Sequence, residues 1–380
     1  MQSVFKQAKR IVFKFGTNAL TAQDGSLALS RLYSFMEDIA ALHKQGKEIM
    51  IVTSGAVGAG RRILGVSSQD DGVSLKQACA AVGQTSLMKA YEDGFKELGI
   101  IAAQVLLTED DFSDRSRYLS LRDTLGRLLE LKCIPVINQN DTVSPNELRG
   151  YKDKGIKVCF GDNDKLSALV ASGMDADLLC VMSDVEGLYN ADPRKDKKAS
   201  LIRRVKGVTE EIEALGFCAS SRGRGGMKTK LEAAKIVTRC GAAMVIAYGK
   251  KHGAVAEVFG PDFRGTLFLP VEDLPGKKAW LAYATNVTGS VQINAGAKKA
   301  LCEKGSSLLP AGVVQVEGNF EPGDTIAVCD ASGKEIARGL ANYSASDSRK
   351  IKGCRSEEIS KKIGFKNYDE LIHRDNIVLL

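Results

Sequence analysis

The sequence predicts an α/β fold: a mainly parallel sheet sandwiched by helices, followed by a small, mainly β domain. Three observations carry that expectation. Short continuous apolar runs alternate with longer helical patterns up to about residue 260. The pattern then breaks at a proline-bearing stretch, LPVEDLPGKK, at residues 269–278. Beyond it, short strand-like segments are divided by the turn signals GNFEPGD and DASGK.

The apolar runs lie at 11–15, 49–53, 100–107, 134–138, 178–183 and 244–248. They are bounded by glycine or polar residues, as expected of strands buried on both faces. Helical patterns fill the intervals at 29–44, 75–98, 116–131, 165–173 and 228–240. Strand–helix alternation implies parallel strands with helices on both faces of the sheet. In such sheets ligands sit beyond the carboxyl ends of the strands, so chemistry is expected in the loops that follow them. Expected boundaries are 1–268 for the first domain, 269–278 for a linker, 279–355 for the β domain and 356–380 for a charged, helical C-terminal extension ending in IVLL.

Composition narrows the function classes. No run of about 18 apolar residues exists, so no membrane span is expected. The first ten residues, MQSVFKQAKR, lack the apolar core of a secretory signal, which points to the cytoplasm. The 53 basic and 46 acidic residues leave a net charge of +7, suited to an anionic substrate and too small to argue for nucleic acid. Nine cysteines occur without a CxxC, and three histidines are scattered. Zinc, a disulfide framework and a histidine-based triad therefore have little to build on, and no metal-binding residue is assigned.

The candidate loops follow in chain order. Lys14 lies in the first apolar run and is followed by Gly16 and Thr17. A buried lysine is costly without a partner, and glycine with a hydroxyl suits a phosphate turn; a lysine snorkelling to solvent would look the same. The second run ends in TSGAVGAG, residues 53–60, where small residues admit a ligand or a packed helix. The fourth runs into Asn138, Asn140 and Asp141, and Gly161-Asp162-Asn163-Asp164 stands at the head of a helix. One of those aspartates suits an N-cap, but three polar residues exceed what a cap needs. The fifth run ends in Ser183-Asp184. Finally, SRGRGGMKTK, residues 221–230, puts three glycines and four cations at a helix start, either an anion cradle or a solvated basic loop.

Together, KFGTN, TSGAVGAG, AAVGQ, PVINQND, FGDNDKLSALVA, SDVEGLYNADPR and GRGGMKTKLEAA resemble the amino acid kinase family in this order. More narrowly, they resemble its branch that phosphorylates the L-glutamate γ-carboxylate, the first step of proline synthesis. The segment NAGAKKALCEKGSSLLPAGVVQVEGNFEPGD is similar to a PUA domain. The stretch NELRGYKDKGIKVCF is longer than in that family.

The resemblance implies roles. Lys14 and Lys230 would neutralise the phosphoryl group in transit, with Asp162 orienting both. Ser54, Asn140, Asp141 and Asn163 would bind glutamate. Lys14, Gly16, Ser183, Asp184, Arg224, Gly225, Gly226, Met227, Lys228, Thr229 and Lys230 would hold ATP, with Mg²⁺ riding on its phosphates. Further implications are proline as feedback inhibitor, a homo-oligomer (dimer or tetramer) and a separate glutamyl phosphate reductase downstream. The expected function is thus an ATP:carboxylate phosphotransferase acting on glutamate.

Two alternatives stand beside it. One is a kinase of another small carboxylate or carbamate. The other is an RNA-binding protein working through the PUA-like domain. Residues 276–380 carry 15 basic and 12 acidic side chains and the single Trp280, which gives neither a strong positive field nor a row of stacking aromatics, so RNA ranks well below the kinase.

Overall fold

The computed structural model describes residues 2–22, 25–67, 72–143, 163–216, 226–271, 276–283 and 285–380. Among the described residues the chain divides into two compact units, one up to residue 271 and one over 276–380.

The first unit is built on an eight-stranded sheet. Its strands are β1 (Arg10–Phe15), β2 (Glu48–Val52), β3 (Ala102–Leu107), β4 (Ile134–Gln139), β5 (Leu178–Ser183), β6 (Arg204–Lys206), β7 (Ala243–Tyr248) and β8 (Gly265–Leu269). Their spatial order is β3-β4-β2-β1-β5-β7-β8-β6. All neighbours are parallel except β7 and β8, which run antiparallel. The six apolar runs of the sequence became β1 to β5 and β7. The two strands that escaped the pattern, β6 and β8, lie at the end of the sheet.

Strand β1 is central, flanked by β2 and β5. Side chains alternate across a strand, so its two faces serve different purposes. Ile11, Phe13 and Phe15 join a large apolar core with Phe35 and Leu87, in which the Phe15 and Phe35 rings stack at 4.8 Å. Val12 and Lys14 project to the other side. The helix Asn163–Gly173 packs against β1 and carries Asp164, which Lys14 meets.

The sequence TSGAVGAG combines a turn and a helix. Gly55 has φ 100°, a left-handed conformation that glycine adopts without strain, and the helix Ala56–Leu64 starts immediately after it. Gly60 serves helix–helix packing: a Cβ there would lie 1.8 Å from the carbonyl oxygen of Cys79, in the helix Val73–Glu97. Gly83 of that helix makes the reciprocal approach, 1.8 Å from a hypothetical Cβ to the Ala56 oxygen. Close packing thus accounts for Gly60, while Gly55 forms the turn.

The second unit holds a five-stranded sheet of β9 (Gly289–Ile293), β10 (Val313–Gly318), β11 (Thr325–Cys329), β12 (Glu335–Leu340) and β13 (Ile377–Leu379). Their order is β10-β9-β11-β12-β13. Here the expected boundary at 355 needs correction. β13 pairs antiparallel with β12, and Ile359, Leu371, Ile372 and Ile377 lie in the same core as Val291 and Ile326. Residues 356–380 are part of this unit because their apolar side chains complete its core. No helix among the described residues is long and apolar enough to cross a membrane.

Candidate active site

The site forms where β1, β2, β4 and β5 end and two helices begin. Lys14, next to last in β1, is in register with Val52 of β2 and Val181 of β5, so its ammonium rises from the middle of the sheet. Lys230 comes from the first turns of the helix Met227–Arg239. Both are buried, at 3% and 5% exposure. Asp164, in the first turn of the helix Asn163–Gly173, is fully buried and stands between them. Its Oδ1 lies 2.7 Å from Lys14 Nζ and its Oδ2 lies 3.1 Å from Lys230 Nζ. The Thr229 hydroxyl is 2.9 Å from the same Oδ2.

Burial alone would push the Asp164 carboxyl up. The charges of Lys14 and Lys230 and the bonds from Lys14 and Thr229 outweigh it and hold the group well below the usual carboxylate range. The arrangement is one buried anion holding two cations, which leaves this three-residue cluster with a net positive charge. A phosphoryl group bound there would meet two ammoniums already in place.

Beside this cluster is a set of neutral donors and acceptors. Asn163 Nδ2 donates to Ser54 Oγ at 2.9 Å, to Asn138 Oδ1 at 3.1 Å and to the Thr53 carbonyl. Asn138 Nδ2 in turn donates to Gln84 Oε1 at 2.8 Å. A cleft of about 250 Å³ opens alongside, lined by Ala56, Gln84, Gln104, Gln139, Asn140 and Asp141 among others. Its walls are polar amides and small apolar groups, and its size suits a small amino acid.

On the other side of β1, β5 ends in the buried Ser183 and the exposed Asp184. Asn18 Nδ2 donates to Asp184 Oδ2 at 2.8 Å, and Ser183 Oγ donates to Oδ1 at 3.2 Å. Partial burial raises the Asp184 carboxyl, but these bonds and the nearby charge of Lys230 prevail, leaving it below its ordinary value. The helix Met227–Arg239 is capped by Gly226, which offers no side chain to the first-turn N–H groups.

Residues 9–248 match the model of the amino acid kinase family. The chain belongs to the amino acid kinase family. Residues 289–363 match the PUA domain model, which carries the second unit beyond the expected end at 355. Among relatives of this amino acid kinase, the glutamate 5-kinase of Thermoanaerobacter sp. (strain X514) is 44% identical over 373 residues, 98% of each chain. That of Moorella thermoacetica is 45% identical over 376 residues, 98% of this chain and 97% of its own. That of Pelobacter propionicus is 44% identical over 381 residues, all of both chains.

The kinase fold brings Lys14, Lys230, Ser54 and Asn163 together, with Asn140 and Asp141 on the adjoining cleft. Gly16, Ser183, Asp184, Gly226, Met227, Lys228 and Thr229 lie on the loops and helix start of the opposite side. A Cβ on Gly16 would sit 3.7 Å from Lys14 Nζ, so this turn passes directly over the lysine. Lys228 is exposed whereas Lys230 is buried, which separates the two cations of the motif. Asp162, Arg224, Gly225 and the long NELRGYKDKGIKVCF segment lie outside the described residues.

One correction concerns the carboxylate that orients the lysines. The role expected of Asp162 is filled in the structure by Asp164. The sequence held no clear signal for it: every residue of that helix except Asn163 and Lys165 is buried, so no single packed side marks Asp164.

Proposed function

We propose that this amino acid kinase is a glutamate 5-kinase, transferring the γ-phosphoryl group of ATP to the γ-carboxylate of L-glutamate and releasing ADP. The observation that carries the reading is the pair of buried lysines held on Asp164, beside an amide cluster and a cleft sized for an amino acid. The name shared by relatives that match this chain along nearly its whole length supports the substrate.

The chemistry needs little beyond position and charge. The attacking oxygen belongs to a carboxylate already ionised at neutral pH, so no protein base has to remove a proton. It forms a bond to the γ-phosphorus as the bond to the β–γ bridging oxygen breaks, and the electron pair leaves on ADP. Charge on the transferring group falls between Lys14 and Lys230. Asp164 fixes both ammoniums in advance, so little reorganisation remains for the reaction itself.

Glutamate is placed in the cleft on the Ser54 and Asn163 side. With Asn163 Nδ2 committed to three oxygens, its Oδ1 is the atom left to accept from the α-ammonium. Asp141 lines the same cleft and supplies a carboxylate for that charge. ATP is placed over Gly16, Ser183–Asp184 and the start of the helix Met227–Arg239. Mg²⁺ fits best as a passenger on the nucleotide phosphates, because Asp164 is already engaged by two ammoniums and a hydroxyl. We also assign the chain to the cytoplasm, as a homo-oligomer inhibited by proline and followed by a separate reductase that consumes the reactive acyl phosphate.

The test is a panel of small carboxylates with ATP and Mg²⁺, following ADP release and trapping any acyl phosphate with hydroxylamine. The hydroxamate should form from L-glutamate and not from N-acetylglutamate, whose α-nitrogen carries no charge. Equal turnover of the acetylated compound would overturn the substrate assignment.

A further inference from the structure

We infer that the side chain of Thr229 is a positioning residue for the lysine pair, rather than a contact to the nucleotide. This rests on the kinase reading above and refines it at one atom.

Thr229 occupies the third position of the helix Met227–Arg239, immediately before Lys230. Its Oγ1 lies 2.9 Å from Asp164 Oδ2 and also 2.9 Å from the Gly226 carbonyl oxygen. A hydroxyl has one proton to give. The carboxylate is the stronger acceptor, because a hydrogen bond to an ionised group is roughly twice as strong as one between neutral groups. The proton therefore goes to Asp164.

Lys230 Nζ reaches the same Oδ2 at 3.1 Å, so two consecutive residues of one helix converge on one oxygen. Asp164 cannot rotate toward Lys14 without losing both. The third bond fixes the tilt of the carboxylate, and through it the separation of the two ammoniums. At the same residue, the backbone N–H belongs to a helix start whose N-cap, Gly226, brings no side chain, and a phosphate is favoured at such a start. Thr229 thus joins the phosphate cradle, through its main chain, to the carboxylate that holds the lysines, through its side chain.

The test is Thr229→Val, which keeps the branched shape and the backbone N–H and removes only the donor. Hydroxamate formation from glutamate is measured with wild type, Thr229→Val and Thr229→Ser. We expect kcat to fall ~10-fold or more in the valine variant, the scale of one lost hydrogen bond to a charged group. KM for ATP and for glutamate should stay within about twofold, and serine should restore kcat.

In an Asp164→Asn background the valine change should cost little more, since the partner is already altered. Normal kcat in Thr229→Val, a rise confined to KM for ATP, or a full additional loss in the Asp164→Asn background would each overturn the inference. Thermal unfolding accompanies each variant; should valine not fold, Thr229→Ala, with a better helix former, carries the same comparison. If wild type is silent with glutamate, the substrate assignment fails separately. The same variants are then compared on whichever carboxylate of the panel is turned over.

Discussion

Lys230 Nζ lies 3.1 Å from Asp164 Oδ2 in a site from which water is almost wholly excluded, with the lysine 5% exposed and the aspartate 0%. A second lysine, Lys14, holds the other oxygen of that carboxylate at 2.7 Å. Two cations on one buried anion is an arrangement that gains from a further negative charge, and a phosphoryl group in transit supplies one.

Removing that anion should therefore damage both stability and rate. Asp164→Asn leaves two buried ammoniums without their counter-charge, and breaking a buried ion pair typically costs about 3–5 kcal/mol. Denaturant unfolding should show a loss of that size, and kcat should fall with it. A variant of normal stability would mean that the lysines find other partners.

The same group sets an acid limit. Asp164 has its folded-state value depressed by the two lysines. A depressed carboxylate contributes stability that is present above its unfolded value, about 3.9, and is lost as pH falls below that toward the folded value. Wild-type stability should decline below about pH 4, and Asp164→Asn should show a shallower decline there. Identical slopes in the two proteins would remove Asp164 from the acid response.

The glycines of the two facing helices, Ala56–Leu64 and Val73–Glu97, should separate by role. Gly83→Ala would put a Cβ 1.8 Å from the Ala56 oxygen and force the two helices apart, an overpacking loss of about 1–3 kcal/mol or more. A Cβ on Gly58 meets nothing within 4 Å, so Gly58→Ala should raise stability by up to about 1 kcal/mol through helix propensity. Equal melting temperatures for the two variants would contradict the packing described.

Substrate binding should depend on the amide cluster. Asn163→Leu removes the bonds to Ser54 and Asn138 and the oxygen left for the α-ammonium. KM for glutamate should rise about tenfold or more, with KM for ATP nearly unchanged. A rise in KM for ATP instead would place the nucleotide on the wrong side of β1.

Much of this was legible in the sequence, for identifiable reasons. Strands β1, β2, β4, β5 and β7 are buried on both faces, so they appear as continuous apolar runs, whereas β3, at the sheet edge, is half-buried and carries the exposed Gln104 inside its apolar run. β6 has only three residues, with Val205 buried between exposed Arg204 and Lys206, and such a segment has no run to read. The helix Ala56–Leu64 was masked by its glycines, of which Gly60 is there to let another helix approach. Lys14 and Lys230 could be read because a lysine in an apolar strand, and one at a glycine-rich helix start, each need a reason. That Asp164 stands between the two lysines is a tertiary fact with no local signal, since nearly every residue of its helix is buried.

The central claim is that Lys230, held by Asp164, meets the transferring phosphoryl group. Lys228 stands two positions earlier, on a different face of the same helix and exposed. The most direct measurement is kcat for glutamyl hydroxamate formation in Lys230→Ala and Lys228→Ala. The account predicts a fall of ~10²–10³ or more for Lys230→Ala, the size seen when one preorganised donor is lost, with KM for glutamate little changed. Lys228→Ala should be mild. A Lys230→Ala enzyme with near-normal kcat, or a Lys228→Ala enzyme equally inactive, would contradict it.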